Sequence, residues 1–353
     1  MMATRIAASI LVWTLYISLS ACNFGNTKNE PVWSDLPEVI RLEKLKQTDF
    51  AITLENPISE HKNIIYASAF LFAWDKIKEE LKSPIIVDSS NSAEFILLNK
   101  SSSHLSALNE NEYSATAEVV DGAIVAKAFF NKTLPFATKL HALDEPIVFS
   151  GVKVSSFGMM DYDESVASLI QVLYYKDDDH FILKLMPKDQ HHEIILAKGL
   201  SNYRTLKDGI EQANDYILKG ENERIDRRHL WKYQIKPTDI LAIPVIQFNI
   251  ENSYQNIEGQ KLSTINDPGL WVETAYQRTG FVLNETGAVI ESNAVTAVVD
   301  SASAEIIVAS PKKLIFDKQF LIIVKRTEQT NPYFAMKVVT AELLVKKIAE
   351  SAC

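Results

Sequence analysis

Residues 277–299 read QRTGFVLNETGAVIESNAVTAVV. The stretch opens as a strand, Arg278–Leu283, breaks at the turn-like Asn284-Glu285-Thr286-Gly287, and resumes with a period of two. Ala288, Ile290, Ser292, Ala294, Thr296 and Val298 share one face, and Val289, Glu291, Asn293, Val295 and Ala297 share the other. The first face is small or apolar, and the second carries the charge and the amide, so the segment is able to become a sheet strand. Asp300-Ser301-Ala302-Ser303-Ala304-Glu305 follows without an aromatic, a composition that suits an exposed loop open to proteases. By periodicity alone the whole stretch reads as strand, loop and strand of an ordinary sheet.

Working outward, Asn63–Leu81 starts apolar all round and ends amphipathic, which predicts a strand entering a helix near Ala67 or Ser68 with one end deeply buried. Past Pro84 the texture turns to β-branched and apolar runs, at Pro84–Val87, Ala93–Asn99 and Glu118–Phe130. Within the last, GAIVAKAFF (Gly122–Phe130) resembles a strand covered on both faces. Ser150–Met159, Ser168–Tyr175, His180–Pro187, Ile240–Ile250, Lys313–Lys325 and Tyr333–Thr340 predict further strands. Leu206, Ile210, Ala213 and Ile217 have helical spacing, and a short helix is expected over Ala341–Ser351. The sum is a mixed α+β chain.

The first 22 residues place one positive charge, Arg5, before an apolar run from Ile6 to Leu19 and end in small residues, the pattern of a secretory signal. Leu19-Ser20-Ala21-Cys22 resembles the bacterial lipobox, which implies cleavage before Cys22 and lipid on its sulfur. Each buried methylene of such a chain contributes about 0.8 kcal/mol to membrane attachment. Asn23 in place of Asp implies the outer membrane. The expected organisation is a signal at 1–21, a polar tether at 22–40 containing Pro31 and Pro37, and a folded domain at 41–353.

Of 353 residues, 36 are Lys or Arg and 45 are Asp or Glu, and this net charge of −9 argues against nucleic acid as a partner. Two cysteines, Cys22 and Cys353, exclude a disulfide scaffold. No zinc-protease, nucleophile-elbow or P-loop motif occurs, so an enzyme is not expected. His191-His192 lacks metal-ligand spacing and reads as a solvated loop. Asp177-Asp178-Asp179 lacks the alternate spacing of a calcium loop and reads as a hairpin turn, and Arg227-Arg228-His229 as a solvated face. No metal and no cofactor is expected.

Gln277–Gly287 resembles the hinge of the serpins, the serine protease inhibitors, in which a strand ends in Asn-Glu-Glu-Gly before a mobile reactive loop. Further stretches fit that family in order. Asp49-Phe50-Ala51 and Asn63-Ile64-Ile65-Tyr66 are similar to its first helix and the start of its buried second helix. Ala128-Phe129-Phe130-Asn131-Lys132 with Pro135-Phe136, Tyr174–Pro187, Phe248–Tyr254 and Pro311–Val338 are similar to its strands. The resemblance spans roughly Thr48 to Val339 and implies a serpin-like α+β fold: helices packed on a large central mixed sheet, a second sheet, and an exposed reactive loop.

It also implies a monomeric inhibitor whose partner is a target protease of the serine or cysteine type. That protease cleaves the loop, and the loop then inserts into the central sheet. The hinge would be Glu285, Gly287, Ala288, Ile290, Ser292, Ala294 and Thr296, small residues because inward charge or bulk is costly to bury. Counting from Glu285 places the bait bond at Ser301-Ala302; counting back from the C-terminal strand gives Ile307-Val308. A small or aliphatic residue before the bond suits elastase-like or subtilisin-like proteases. The chain between Leu81 and Gly122 is shorter than the family's, so helices that flank or cover the sheet are expected to be missing. This favours an alternative, a non-inhibitory envelope lipoprotein that binds or scaffolds.

Overall fold

Alternating burial along the strands builds the largest sheet, an eight-stranded one. In a computed structural model the described residues are 36–130, 133–267, 269–288 and 311–347, and they all fall in one compact unit, Pro31–Cys353. The large sheet contains β1 (Ile40–Arg41), β4 (Ser114–Val120), β5 (Ala123–Phe130), β6 (Leu134–Pro135), β13 (Ile246–Ser253), β14 (Lys261–Leu262), β15 (Leu270–Asn284) and β16 (Gly287–Ala288). Along β15 Leu270, Val272, Ala275, Gln277 and Thr279 are buried while Trp271 and Glu273 are exposed, so one face meets the core and the other meets water.

The seven-stranded sheet is ordered β2 (Thr48–Phe50), β3 (Asn63–Ala67), β19 (Pro332–Val338), β18 (Phe320–Arg326), β11 (His192–Lys198), β10 (His180–Leu185), β9 (Ile170–Asp177). Its central strands are buried along almost their whole length, which is why they read as unbroken apolar runs. Phe281 of β15 stacks on Phe334 of β19 with centroids 4.4 Å apart, so the two sheets share a core. A four-stranded sheet is ordered β17 (Lys313–Ile315), β12 (Ile240–Pro244), β8 (Val152–Met159), β7 (His141–Phe149).

Asn63–Ala67 runs into α1 (Ala69–Leu81) through Ser68, as the sequence predicts. The first six residues of α1 are buried, its later turns are amphipathic, and it packs on β4, β5 and β15. Trp74, fully buried, donates from Nε1 to Asn99 Oδ1 at 3.3 Å and ties α1 to α2 (Ala93–Lys100). α3 (Glu164–Ala167) and α5 (Leu230–Tyr233) are single turns. α4 (Leu206–Ile225) opens on a capping box of Thr205 and Asp208 and covers β9, where Tyr174 stacks on Tyr216. Among the described residues no helix is long and apolar enough to cross a membrane.

Large mixed sheet, second sheet and packed helices together make the serpin-like α+β layout that the sequence resemblance implies. Several local expectations change. Ala93–Lys100 is a helix and not a strand-like run, because Ser92 Oγ caps Phe95 N–H and Phe95 and Leu98 bury one face. Asp49-Phe50 belongs to a short strand parallel to β3 and not to a first helix. Ile240–Ile250 divides at Val245, whose N–H bonds Ser155 O, and its halves join different sheets. Ala341–Ser351 shows only a 3-10 turn at Ala341–Leu343 within the described residues.

Glu118–Phe130 is a hairpin and not one strand. Asp121 (φ 51°) and Gly122 (φ 85°) form the two-residue turn joining β4 to β5. β5 is therefore buried on one face only, with Lys127 exposed on the other. The outward face of the large sheet is open to water at Glu118, Lys127, Glu273 and Gln247.

Candidate functional site

At one end of the large sheet, β5 and β15 part and a third segment enters between them. Along their length the two strands pair directly and in parallel, from Trp271 opposite Ala123 to Thr279 opposite Phe130. Beyond Thr279, β15 turns back on itself. Leu283 and Asn284 pair with Ala288 and Gly287, and the same two residues pair on their other side with Leu134 and Pro135 of β6. The segment Gly287–Ala288 is thus antiparallel to both of its neighbours and seated in the mouth of the seam.

Each residue of the turn has a physical task. Asn284 Oδ1 accepts from the N–H and hydroxyl of Thr286, at 2.8 and 2.6 Å, which fixes the reversal. The carbonyls of Glu285 and Thr286 accept from Leu140 N–H and Phe136 N–H, both at 2.9 Å. Gly287 lies at φ 129°, and a Cβ there would stand 2.4 Å from Leu134 O and 2.7 Å from Pro135 Cα. Only glycine fits that approach. Ala288 is buried, its methyl directed inward. Of the predicted hinge, Glu285, Gly287 and Ala288 are brought together here. Ile290, Ser292, Ala294 and Thr296, the bait residues Ser301 and Ala302, and the lipidation residue Cys22 lie outside the described residues.

Below the mouth the inner face of the seam begins with the fully buried pair Ile124 and Val272. It also carries Ala126, Ala128 and Ala275, all buried and all small. Beside them a buried polar chain runs from Tyr254 Oη to Gln277 Oε1 and from Gln277 Nε2 to Thr279 Oγ1, each bond 2.9 Å. A strand continuing from Ala288 would replace one parallel ladder by two antiparallel ones, the more stable pairing per residue.

Where the described chain resumes at Pro311, it is held by buried charge. Lys312 and Asp239 form an ion pair at 2.6 Å with both side chains 1% exposed. Lys312 also donates to Gln234 O and Trp231 O, and its own N–H bonds Asp239 Oδ1. Burial pushes its ammonium below the ordinary value against the pull of Asp239. Next to it, Asp178 Oδ1 accepts from Lys313 N–H and from Tyr175 Oη, and Lys198 Nζ bridges Asp317 and Asp179. The Asp179 carboxyl is held below its usual range by Lys318 and Lys198. Asp177-Asp178-Asp179 is the hairpin turn the sequence predicts, and it also clamps β17. That second role has no local sequence signal, since Asp178 and Lys313 are 135 positions apart.

His192 departs from the solvated loop predicted for it. It is buried at the start of β11, with Tyr333 Oη 3.1 Å from Nδ1 and Glu112 3.2 Å from Nε2. Arg228, by contrast, is exposed and paired with Asp226. Among the described residues no group of His, Cys, Asp and Glu is placed to hold a metal ion.

No protein-family model matches this chain, and no curated protein matches it. Solved structures do. A serpin from the trematode Schistosoma haematobium is 13% identical with a TM-score of 0.39, covering 62% of this chain and 57% of its own. Serpin48 of the insect Tenebrio molitor is 16% identical at 0.34, covering 62% and 56%. The thermophilic serpin tengpin, in its native state, is 11% identical at 0.36, covering 62% and 55%. The matched part spans a little over half the length of these structures.

Proposed function

We propose that this chain is a protease inhibitor of the serpin type. A protease cleaves the segment between Ala288 and Pro311, and the freed strand enters the seam between β5 and β15. The observation that supports this most directly is β16, two residues already paired on both sides at the mouth of a seam whose strands are otherwise paired to each other. The chain acts as bait and trap, with no catalytic chemistry of its own. Small residues at Ser292, Ala294 and Thr296 suit the buried face of an entering strand, and Ser301-Ala302 as bait suits elastase-like or subtilisin-like proteases. Lipid on Cys22 would hold the inhibitor at the outer membrane.

The test mixes the full chain with elastase and with subtilisin. A complex that survives denaturation, with loss of protease activity, supports the reading; clean cleavage with protease activity intact rejects it. A second reading, a non-inhibitory envelope lipoprotein, is favoured by the two-residue hairpin at Asp121-Gly122, which stands where the family resemblance implies covering helices. For that reading, nicking leaves the thermal stability unchanged.

A further inference from the structure

Glu112, at the root of the β4–β5 hairpin, has a side chain only 10% exposed. Its Oε2 accepts from Arg326 Nη1 at 2.9 Å and from Asn109 N–H at 2.8 Å, and its Oε1 stands 3.2 Å from His192 Nε2. His192 opens β11 and Arg326 closes β18, so one carboxylate joins the edge of the large sheet to two strands of the seven-stranded sheet. The next residues add ties. Tyr113 stacks on Phe72 of α1 with centroids 3.9 Å apart, and Ala115 O accepts from Lys76 Nζ of α1 at 2.9 Å.

What these ties join decides what they do. α1 follows β3 through Ser68, and β3, β11 and β18 all lie in the seven-stranded sheet. That sheet shares a core with β15 through Phe281 and Phe334. Residues 112–115 therefore fasten the hairpin to the body that carries β15. They do so at the mouth of the seam: Ser114 is opposite Phe129, and Phe129 is opposite Arg278, one position before the last pair of β5 and β15. At the far end Val120 is opposite Ala123 and Ala123 opposite Trp271, and there Glu118, Val120 and Asp121 are exposed. The hairpin is pinned at the mouth and exposed at its tip.

We propose that Glu112 is the latch of the seam: its bonds hold β5 against β15, and their release lets the mouth widen. A strand continuing from Ala288 meets the mouth first. To admit it, β5 must move from β15 by one strand spacing, about 4.8 Å, and so come into line with β6, which β16 already separates from β15. Hydrogen bonds do not stretch that far, so the bonds of Glu112 break or the seam stays closed. The hairpin moves as one piece on its own ladder, and its buried inward residues Ala115, Ala126 and Ala128 offer α1 only small side chains to slide over. The latch rests on the reading that the seam admits a strand, but it acts in the uncut chain and is measured there.

The test is hydrogen exchange of the uncut full chain, with nicking as a second arm. In Glu112→Gln the bonds from Arg326 and His192 lose their charged acceptor. Amides of the β5–β15 ladder should then exchange about tenfold faster, while those of the β4–β5 and β18–β19 ladders keep their protection. Lys76→Met removes a second tie and should act the same way; Glu118→Gln, on the exposed half of β4, should change nothing. An unchanged β5–β15 ladder in Glu112→Gln, a loss confined to residues 109–115, or an equal loss in every ladder would overturn the proposal. After one nick within residues 289–310, Glu112→Gln should reach its final thermal midpoint about tenfold sooner than the wild type, and equal half-times would also overturn it. A midpoint that never changes in either chain refutes loop insertion alone, and the exchange result then decides the latch by itself.

Discussion

Replacing Gly287 by alanine puts a methyl group where the chain has no room. The new Cβ would stand 2.4 Å from Leu134 O, 2.7 Å from Pro135 Cα and 2.8 Å from Phe136 N, all backbone atoms. Leu134 and Phe136 are themselves buried, so that backbone cannot easily retreat. The positive φ costs an L-residue roughly 1–3 kcal/mol. The clash is relieved only if β16 draws away from β6, which strains the bonds Phe136 N–H to Thr286 O and Leu140 N–H to Glu285 O, each contributing about 1 kcal/mol. A local loss of about 2–4 kcal/mol follows. Hydrogen exchange is the suitable assay. The amides of Phe136 and Leu140 should exchange about 30- to 700-fold faster, since each 1.4 kcal/mol is a factor of ten. Amides in the β18·β19 ladder should keep their protection. Unchanged protection at Phe136 and Leu140, or an equal loss everywhere, would refute the reasoning that the mouth of the seam absorbs the strain.

Ala288→Arg places a charge at a buried position of the seam mouth; cleavage of the loop should persist while inhibition of subtilisin disappears, as read from residual protease activity. Asp239→Asn leaves the buried Lys312 ammonium without its counter-charge and should cost about 3–5 kcal/mol in urea unfolding. The Asp75 carboxyl would be raised by burial, but the His104 hydrogen bond and charge, with Lys78, bring it below its ordinary value. A depressed carboxyl stabilises the fold above its unfolded pKa, and this stabilisation is lost as pH falls through the folded value. The wild type should therefore lose stability relative to Asp75→Asn only below about pH 4, measured as unfolding midpoints against pH.

The site was legible where local chemistry and tertiary need coincide. Asn284 and Gly287 mark a reversal in any chain, and here the same two residues also make the Asx bond and the close approach to Leu134. The strand-to-helix passage at Ser68 could be read because its apolar period changes there. Ala93–Lys100 was misread because a short apolar run fits strand and helix alike, and the Ser92 cap decides between them. The β4–β5 hairpin carried its signal in Asp121-Gly122, a dipeptide that favours this turn, hidden inside an apolar stretch. Asp239 with Lys312, and His192 with Glu112 and Tyr333, had no signal at all. They are pairs made by topology between residues far apart in sequence, and their burial is set by neighbours that no local window contains.

Insertion of a cleaved strand is the central claim, and the thermal midpoint of the full chain before and after one nick within residues 289–310 tests it most directly. Eight paired positions of β5 and β15 would be exchanged for two ladders, a gain of about one ladder. At about 1 kcal/mol for each new bond and roughly 2–4 °C for each kcal/mol, the midpoint should rise by at least about 10 °C. An unchanged or lower midpoint after complete nicking, with the cut confirmed by mass, would contradict the account.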